Sequence, residues 1–374
     1  MIPIIFTITL IYLLLIGSFI YGFNKVSEFN FKEPLTKTNF SIIIPFRNEA
    51  QNLPALLNTI SKLKYPLSNF EVIFVDDASE DASVKIIKQH LDKTEVDFKI
   101  LQNQRRSKSP KKDAITTAIE QASCEWILTT DADCLVPELW LDIYNSYIQN
   151  TKANMISGPV AYYSLHSFLD RFQAFDFLSL IGATIGGFGL KTPFLSNGAN
   201  LAYKKDFFKT LNGFYGNNDI ASGDDVFLLQ KAIEKHRNSV LFLKAKEAIV
   251  LTKPQPDFSS LKSQRVRWAS KTTHYKNSFG KLTGLVVLLM NAGLIAYLLF
   301  ACLGIFNFKL LLLVFILKSS IDFVLLYKTA SFFNQKKLFR SYPLSAICYP
   351  AFSVYIAFIA IFSSYKWKDR AYKK

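Results

Sequence analysis

The chain has 374 residues, 50% of them hydrophobic, and a formal net charge of +15. Its 4 cysteines have no paired metal-ligand spacing, which disfavours a zinc site and a disulfide framework. The positive charge is compatible with attraction to an anionic membrane surface or to a polyphosphate substrate. Because the basic residues are dispersed and form no nucleic-acid-binding motif, nucleic acid is disfavoured as a partner.

The N-terminal segment is the first of several long apolar runs. Ile2 to Phe23 carries no charge, and it is long enough to cross a bilayer core of about 30 Å as a helix. It has no basic residue before Lys25, whereas a cleaved signal peptide begins with a basic region. We therefore predict an uncleaved transmembrane anchor at residues 1–24.

Residues 38–280 alternate short apolar runs with helical patterns. The predicted strands are Phe40–Pro45, Glu71–Val75, Lys99–Leu101 and Trp126–Thr129. Strands that alternate with helices at this spacing predict one α/β domain with a mostly parallel sheet. The region has neither a G-x-G-x-x-G fingerprint nor a Walker-type loop, which argues against dinucleotide oxidoreductases and P-loop enzymes.

Two acidic pairs directly follow predicted strands. Asp76 and Asp77 end the second strand, and Asp131 and Asp133 follow the fourth. Ligands collect at the carboxyl ends of strands in such sheets, and two carboxylates offer hard oxygen ligands to a Mg²⁺ or Mn²⁺ that also holds substrate phosphates. The alternatives are a helix N-cap for the first pair and a capped turn for the second.

Further charged residues open predicted helices. Lys112 begins a helix after the basic run Arg105–Lys111, where it can reach a nucleotide or belong to a solvated loop. Asp224 and Asp225 precede an apolar helical start. Two adjacent carboxylates are more than a helix cap requires, so we predict that this pair supplies a general base for an acceptor hydroxyl.

Three residues just before the next apolar run share a spacing that clusters them near one helix face: Gln264, Arg267 and Trp268. Arg267 can neutralise a diphosphate. Trp268 offers a flat platform for a sugar ring, or alternatively an anchor at a membrane interface.

The C-terminal region, residues 281–374, contains about three hydrophobic segments and a basic tail. The segments are Leu282–Phe308, Leu310–Tyr327 and Tyr342–Tyr365. The middle one is interrupted by Lys318 and Asp322, which lie four residues apart on one helix face and can neutralise each other. We predict that all three segments span a membrane, and an interfacial segment is the alternative for the middle one.

The distribution of basic residues predicts the orientation in the membrane. Lysines between residues 25 and 37 favour a cytoplasmic catalytic domain in an integral membrane protein, typically of a bacterial-type inner membrane. If each predicted segment crosses the membrane once, the basic tail Lys366–Lys374 lies on the side opposite the cytoplasm. That position conflicts with the preference of basic residues for the cytoplasmic side. A break of the last segment at Pro343 and Pro350 into a re-entrant element would keep the tail inside.

In their order along the chain, these motifs resemble those of the inverting glycosyltransferases of family 2, whose nucleotide-sugar fold is called GT-A. The resemblance covers about Phe40 to Ser270, and its Gln-x-x-Arg-Trp motif is found in cellulose and hyaluronan synthases and in ceramide glucosyltransferases. It implies an α/β, Rossmann-like GT-A domain with a mostly parallel sheet, flanked by N- and C-terminal transmembrane helices.

The resemblance also implies a role for each matching residue. This chain has Gly223-Asp224-Asp225 where many synthases have Thr-Glu-Asp, so Asp225 matches the catalytic base and Asp224 orients it. The remaining implied roles are nucleotide-sugar binding by Pro45, Arg47, Glu49, Asp76, Asp77, Lys112 and Asp131, metal binding by Asp131 and Asp133, and acceptor or diphosphate binding by Gln264, Arg267 and Trp268.

The implied activity is transfer of a sugar from a nucleotide diphosphate sugar, with a UDP-sugar as the expected donor and Mg²⁺ or Mn²⁺ as cofactor. A membrane lipid or lipid-linked saccharide is the expected acceptor. The apolar, glycine-rich segment Phe168–Phe194 can form an interfacial element that admits a lipid headgroup, or can be plain core. The alternatives are a processive polysaccharide synthase resembling hyaluronan or poly-N-acetylglucosamine synthases, and a catalytically silent membrane scaffold.

Overall fold

The computed structural model describes residues 2–362, 365–367 and 370–372. In chain order, the helices are α1 (Ile2–Lys25), α2 (Leu53–Ile60), α3 (Ser83–Leu91), α4 (Pro110–Gln121), α5 (Trp140–Gln149), α6 (Phe168–Gly189), α7 (Lys205–Thr210), α8 (Asp224–His236), α9 (Phe258–Ser270), α10 (Ser278–Cys302), α11 (Phe308–Phe332) and α12 (Tyr342–Phe362). The strands are β1 (Phe40–Phe46), β2 (Phe70–Asp76), β3 (Phe98–Gln102), β4 (Trp126–Thr129), β5 (Met155–Ser157), β6 (Val160–Tyr162), β7 (Leu201–Lys204), β8 (Val240–Phe242), β9 (Val250–Thr252), β10 (Tyr365–Trp367) and β11 (Arg370–Tyr372).

The chain divides into two compact units. The sheet unit comprises Ser27–Tyr163 and Leu195–Lys253, and the helical unit comprises Met1–Val26, Ser164–Phe194 and Pro254–Lys374. The α6 and α9 helices, which lie inside the predicted domain of residues 38–280, are grouped with the apolar helices of the N and C termini. That domain, with the predicted boundaries 1–24 and 281–374 on either side, stays a prediction.

The sheet unit is built on a seven-stranded sheet of order β3-β2-β1-β4-β7-β5-β8. The first four strands of this order are mutually parallel, and β5 pairs with β8 in parallel. Only β7 is antiparallel to its neighbours, β4 and β5. The predicted mostly parallel α/β fold is confirmed, with β7 as an insertion that the sequence pattern did not indicate.

The central strands are apolar runs buried on both faces. Every residue of β2 is buried, and in β1 only Pro45 is partly exposed. Such continuous burial is typical of parallel strands with helices on both sides. Because β1 and β2 pair in register, with Phe46 opposite Asp76, their carboxyl ends meet at one edge of the sheet.

The α3 helix begins at Ser83, and a loop separates it from the end of β2 at Asp76. The intervening loop is held by two aspartate side chains that accept backbone hydrogen bonds. Asp76 Oδ1 accepts from the Ser79 amide at 2.8 Å, and Asp81 Oδ1 accepts from the Ser83 amide at 3.0 Å. Local bonds of this kind compete with the helix and delay its start.

Four helices of the helical unit, α1, α10, α11 and α12, are long and apolar enough to cross a membrane. The proposed break of the last segment is wrong, because α12 continues through Pro350. A buried proline is tolerated inside such a helix when neighbouring groups compensate for the lost backbone hydrogen bond. The basic tail Lys366–Lys374 lies partly outside the described residues, and the side of the membrane on which it lies stays a prediction.

The charged residues inside α11 form the ion pair that their spacing predicts. Lys318 Nζ lies 2.9 Å from Asp322 Oδ2, and the lysine side chain is only 2% exposed. The hydroxyl of Tyr12, on α1, donates to Asp322 Oδ1 at 2.6 Å. The ion pair neutralises both charges, and the hydrogen bond from Tyr12 gives Asp322 a second polar partner. Charged residues within an apolar helix need partners of this kind.

Glycines allow α1 and α6 to approach each other closely. A Cβ atom at Gly186 would lie 2.7 Å from the carbonyl oxygen of Phe19, and one at Gly189 would lie 1.8 Å from that of Gly22. Small residues at a helix crossing permit this backbone contact. The segment Phe168–Phe194 therefore packs as core of the helical unit along much of its length.

We expect Gly186→Ala to destabilise the protein although alanine is the better helix former. Overpacking costs about 1–3 kcal/mol, which outweighs a gain in helix propensity of about 1 kcal/mol. The matched control is Gly17→Ala on α1, where a Cβ meets no atom within 4 Å. Thermal unfolding in detergent should show a lower midpoint for Gly186→Ala only; equal midpoints in the two variants would contradict the close helix contact.

Candidate active site

Acidic residues gather at the carboxyl edge of the sheet. The strands β1, β2 and β4 run in parallel toward that edge. Asp76 is the last residue of β2, and the loops after β2 and β4 carry Asp77, Asp131 and Asp133. The α8 helix begins with Asp224 and Asp225. All six carboxylates belong to the sheet unit.

Asp131 and Asp133 form the part of this edge that fits a divalent cation. Their carboxylate oxygens and the sulfur of Cys134 lie within 4.8 Å of one another. Burial and the two neighbouring carboxylates raise the pKa of the Cys134 thiol, so the thiol is a proton donor and lies 3.6 Å from Asp133 Oδ1. The carboxylate oxygens of Asp131 and Asp133 are hard ligands, which suit Mg²⁺ or Mn²⁺ better than a soft metal.

Lys111 links the two groups of carboxylates. Its Nζ lies 2.7 Å from Asp131 Oδ1 and 3.3 Å from Asp224 Oδ2. Burial alone would lower the pKa of Lys111, but the charges of Asp131, Asp224 and Asp225 outweigh burial and raise it. The ammonium group is therefore a fixed positive charge between the predicted metal ligands and the predicted base.

The neighbouring Lys112 has different surroundings. Its side chain is 1% exposed, and its Nζ donates to the carbonyl oxygens of Asn217 and Ile220 at 2.7 and 2.9 Å. Consecutive helix residues differ in direction by about 100°, so the two lysines cannot share one role. Lys112 holds the loop that leads to Asp224, and its contact with a nucleotide stays a prediction.

The Asp225 carboxylate is oriented by two backbone amides. Its Oδ2 accepts from the Gly198 amide at 3.2 Å, and its Oδ1 accepts from the Val226 amide at 2.7 Å. Gly223 precedes the acidic pair in a left-handed conformation with φ of 83°, which glycine adopts without steric cost. The pair is thus fixed at the first turn of α8.

Gly198 and Asn200 support this arrangement, and sequence reasoning missed both. A Cβ at Gly198 would lie 2.8 Å from Asp224 Oδ2. Asn200 is fully buried, and its side-chain oxygen accepts from Trp140 Nε1 at 3.0 Å and from the Tyr144 hydroxyl at 2.8 Å. Its side-chain nitrogen donates to two backbone carbonyls. The amide therefore pins the segment that contacts Asp225.

Gly198→Ala should lower turnover by about tenfold to a hundredfold, because a catalytic group displaced by 1 Å can cost that much. The added methyl group would collide with the Asp224 carboxylate unless that side chain or the backbone at Gly198 moves. Gly284→Ala is the control, since a Cβ there meets no atom within 4 Å. Steady-state rates of the two variants check the prediction, and an unimpaired Gly198→Ala enzyme would contradict it.

The two predicted nucleoside contacts differ in their surroundings. Asp76 Oδ1 accepts a hydrogen bond from the Ser79 amide, so this oxygen has the capping role that the sequence offered as an alternative. Asp77 Oδ1 accepts from Arg105 Nε and from Asn103 Nδ2, both at 2.7 Å. The contacts of Asp76 and Asp77 with a nucleoside stay predictions.

The residues at the end of β1 order the adjacent loop. Pro45 lies within β1, and Arg47 Nη1 donates to the carbonyl oxygen of Asp77 at 2.9 Å. Arg47 also pairs with Glu80 at 2.9 Å, and Glu49 accepts from the side chain of Asn52. These contacts join the loops after β1 and β2, which lie at the edge where a nucleotide is predicted.

Gln264, Arg267 and Trp268 all lie on α9, in the helical unit. Arg265, which sequence reasoning missed, lies with its guanidinium 4.2 Å from the centre of the Trp268 ring and donates to Gln264 Oε1. It is paired with the buried Asp176 of α6. The structure therefore brings Gln264 and Trp268 into contact with Arg265, and the predicted roles of Gln264, Arg267 and Trp268 toward acceptor or diphosphate stay predictions.

Comparison with known sequences identifies the family. Residues 41–236 match Glycosyl transferase family 2. The chain belongs to this family. The match extends from β1 to the end of α8 and so includes all six carboxylates at the edge of the sheet.

This family 2 glycosyltransferase is similar in sequence to two characterised proteins, each over part of its length. It is 27% identical over 199 residues to Glycosyltransferase AglE of Haloferax volcanii. The aligned region covers 52% of this chain and 61% of that protein. It is 25% identical over 268 residues to the poly-beta-1,6-N-acetyl-D-glucosamine synthase of Staphylococcus epidermidis, covering 68% of this chain and 61% of the synthase. The chain thus spans less than two thirds of these relatives.

A solved structure supports the fold of the family 2 glycosyltransferase. The mannosyltransferase PcManGT from Pyrobaculum calidifontis, in complex with GDP-Man and Mn²⁺, aligns with a TM-score of 0.57 at 16% identity. The alignment covers 92% of this chain and 95% of that one. The predicted GT-A type of fold is confirmed.

Proposed function

We propose that the protein is an inverting glycosyltransferase that moves a sugar from a nucleotide diphosphate sugar to a membrane lipid or a lipid-linked saccharide. The observation that carries this proposal is the convergence of Asp131, Asp133 and Asp225 at the carboxyl edge of a family 2 sheet, joined by Lys111. Nucleotide ligands of open α/β sheets bind at such an edge.

Asp131 and Asp133 would hold the divalent cation, Mg²⁺ or Mn²⁺. Their hard oxygen atoms and close spacing suit such an ion, and Mn²⁺ accompanies the nucleotide sugar in PcManGT. When bound, the ion would neutralise the negative charge that develops on the departing diphosphate.

Asp225 is proposed as the general base. Two backbone amides orient its carboxylate, which would take the proton from the acceptor hydroxyl as that oxygen attacks the anomeric carbon. Asp224 lies beside it and is held by Lys111. A single displacement of this kind inverts the anomeric configuration and gives a β-linked product from an α-linked donor.

The other site residues are proposed by resemblance to the family. Asp76, Asp77 and Lys112 would bind the nucleoside, at the edge whose loops Pro45, Arg47 and Glu49 help to order. The helical motif would bind the acceptor or the diphosphate through Gln264, Arg267 and Trp268.

The acceptor and the location are proposed from the four apolar helices. A catalytic domain tied to a bilayer acts on acceptors in that bilayer. Nucleotide sugars are cytoplasmic metabolites, and the basic residues that follow α1 favour a cytoplasmic catalytic domain in a bacterial-type inner membrane. The base of the nucleotide is open, because family resemblance favours uridine whereas PcManGT is complexed with GDP-Man.

A processive polysaccharide synthase is the second candidate. The similarity to a poly-beta-1,6-N-acetyl-D-glucosamine synthase, which extends over 68% of this chain, supports it. The two candidates use the same donor site and base and differ in what becomes of the product.

The experiment that separates the candidates uses membranes that contain the protein, a panel of radiolabelled nucleotide sugars, and Mg²⁺ or Mn²⁺. Organic extraction follows. Label that enters the organic phase supports a lipid acceptor and identifies the donor, and label retained in a large water-soluble or insoluble product supports a polysaccharide synthase. No incorporation from any donor above the level of membranes without the protein would favour a silent scaffold and overturn the proposal.

A further inference from the structure

Lys111 occupies the position that connects the predicted metal ligands to the predicted base. Its ammonium group lies 2.7 Å from Asp131 and 3.3 Å from Asp224. The side chain is 21% exposed, and that of Asp224 is 10% exposed. Partial burial strengthens these attractions relative to bulk water, so the lysine is an integral part of the site.

Negative charges outnumber positive charges at this site. The Lys111 ammonium group interacts with three carboxylates, those of Asp131, Asp224 and Asp225, and a fourth, Asp133, lies beside Asp131. The Asp131 carboxylate, a predicted ligand of the divalent ion, accepts a hydrogen bond from Lys111 through its Oδ1. An ion bound to Asp131 and an ammonium group bound to the same carboxylate would repel each other.

We propose that Lys111 is a resident counter-cation that a divalent ion must displace from Asp131, and that the displaced ammonium group then pairs with the diphosphate of the donor. This inference rests on the proposed function. Lys111 therefore weakens metal binding in the absence of donor and supports turnover in its presence. The donor supplies the negative charge that replaces Asp131 as the partner of Lys111.

The same contacts have a purely structural explanation, in which Lys111 only ties α4 to the first turn of α8. The two explanations predict different signs. If the lysine competes with the metal, its removal tightens metal binding and slows turnover. If it only braces the site, its removal loosens the carboxylates and weakens both.

The test measures Mn²⁺ binding to the full-length protein without nucleotide, from the electron paramagnetic resonance signal of unbound Mn²⁺. Lys111→Met should bind Mn²⁺ about tenfold more tightly, because a positive charge next to a ligand is removed. Lys111→Arg keeps the charge and should stay near the unsubstituted protein. Lys108→Met is the control for net charge, since Lys108 is 80% exposed and lies 3.9 Å from an equally exposed Asp219.

Turnover is measured on the same preparations, with saturating Mn²⁺ and donor. Lys111→Met should be about tenfold or more slower, because a charge that stabilises the leaving group is lost. Lys111→Gln repeats both measurements with a polar side chain, should methionine prevent folding.

The outcomes separate this inference from the proposed function. Unchanged or weaker Mn²⁺ binding in Lys111→Met and Lys111→Gln, with sugar transfer intact in the unsubstituted protein, would overturn the inference alone. Transfer that needs no metal, with no Mn²⁺ bound by any of the proteins, would overturn the inference and the proposed metal site. Tighter binding together with slower turnover would support both.

Discussion

Replacement of Asp225 with asparagine should reduce sugar transfer by about a hundredfold to ten-thousandfold, which is the usual contribution of a general base. Asparagine has nearly the same shape, and its amide oxygen can still accept a backbone hydrogen bond, but it cannot take a proton from the acceptor. The loss should therefore appear in kcat, while the affinity for the donor nucleotide changes little. Steady-state kinetics and a nucleotide-binding titration on the same preparation measure the two effects.

The control for this result is Asp219→Asn, which removes an exposed carboxylate from the loop that precedes α8. It should leave kcat within about twofold, as substitution of an exposed side chain usually does. A rate for Asp225→Asn above about one tenth of the original would be too fast for loss of a base. That result would contradict the assignment of Asp225.

Asp131→Asn and Asp133→Asn should each weaken Mn²⁺ binding and lower turnover by about a hundredfold or more. A neutral amide keeps one oxygen ligand but removes the charge that attracts a hard cation. Turnover should recover in part at high Mn²⁺ concentration, since binding and not folding is impaired. Titration of activity against Mn²⁺ measures this recovery.

The control for the metal pair is Asp206→Asn on α7, where the aspartate side chain is 89% exposed. Its activity should follow the same Mn²⁺ titration as the unsubstituted protein. Full activity of Asp133→Asn at low Mn²⁺ would exclude that residue as a ligand, and the same result for both variants would exclude the proposed metal site.

The strands and their acidic ends could be predicted because the signals are local. The β1 and β2 strands are continuous apolar runs, and β4 was predicted with its observed ends. Parallel pairing then brings Asp76 and Asp131 to one edge without knowledge of any side-chain contact. The β7 strand, Leu201–Lys204, was missed because it is short and contains no β-branched residue.

The supporting residues of the site could not be predicted from the sequence for a related reason. Gly198 and Asn200 are separated from Asp225 by more than twenty positions, and only the folded chain brings the Gly198 amide to that carboxylate. Lys111 was missed because the direction of a side chain depends on where its helix begins. The α4 helix begins at Pro110, which directs Lys111 toward Asp131 and Lys112 into the interior.

The measurement that tests the central claim most directly is the anomeric configuration of the linkage formed from an α-linked nucleotide sugar, determined by nuclear magnetic resonance on the isolated product. Attack by an acceptor hydroxyl that Asp225 deprotonates, on the face opposite the departing diphosphate, predicts a β-linked product. An α-linked product would contradict a single displacement and, with it, the role assigned to Asp225.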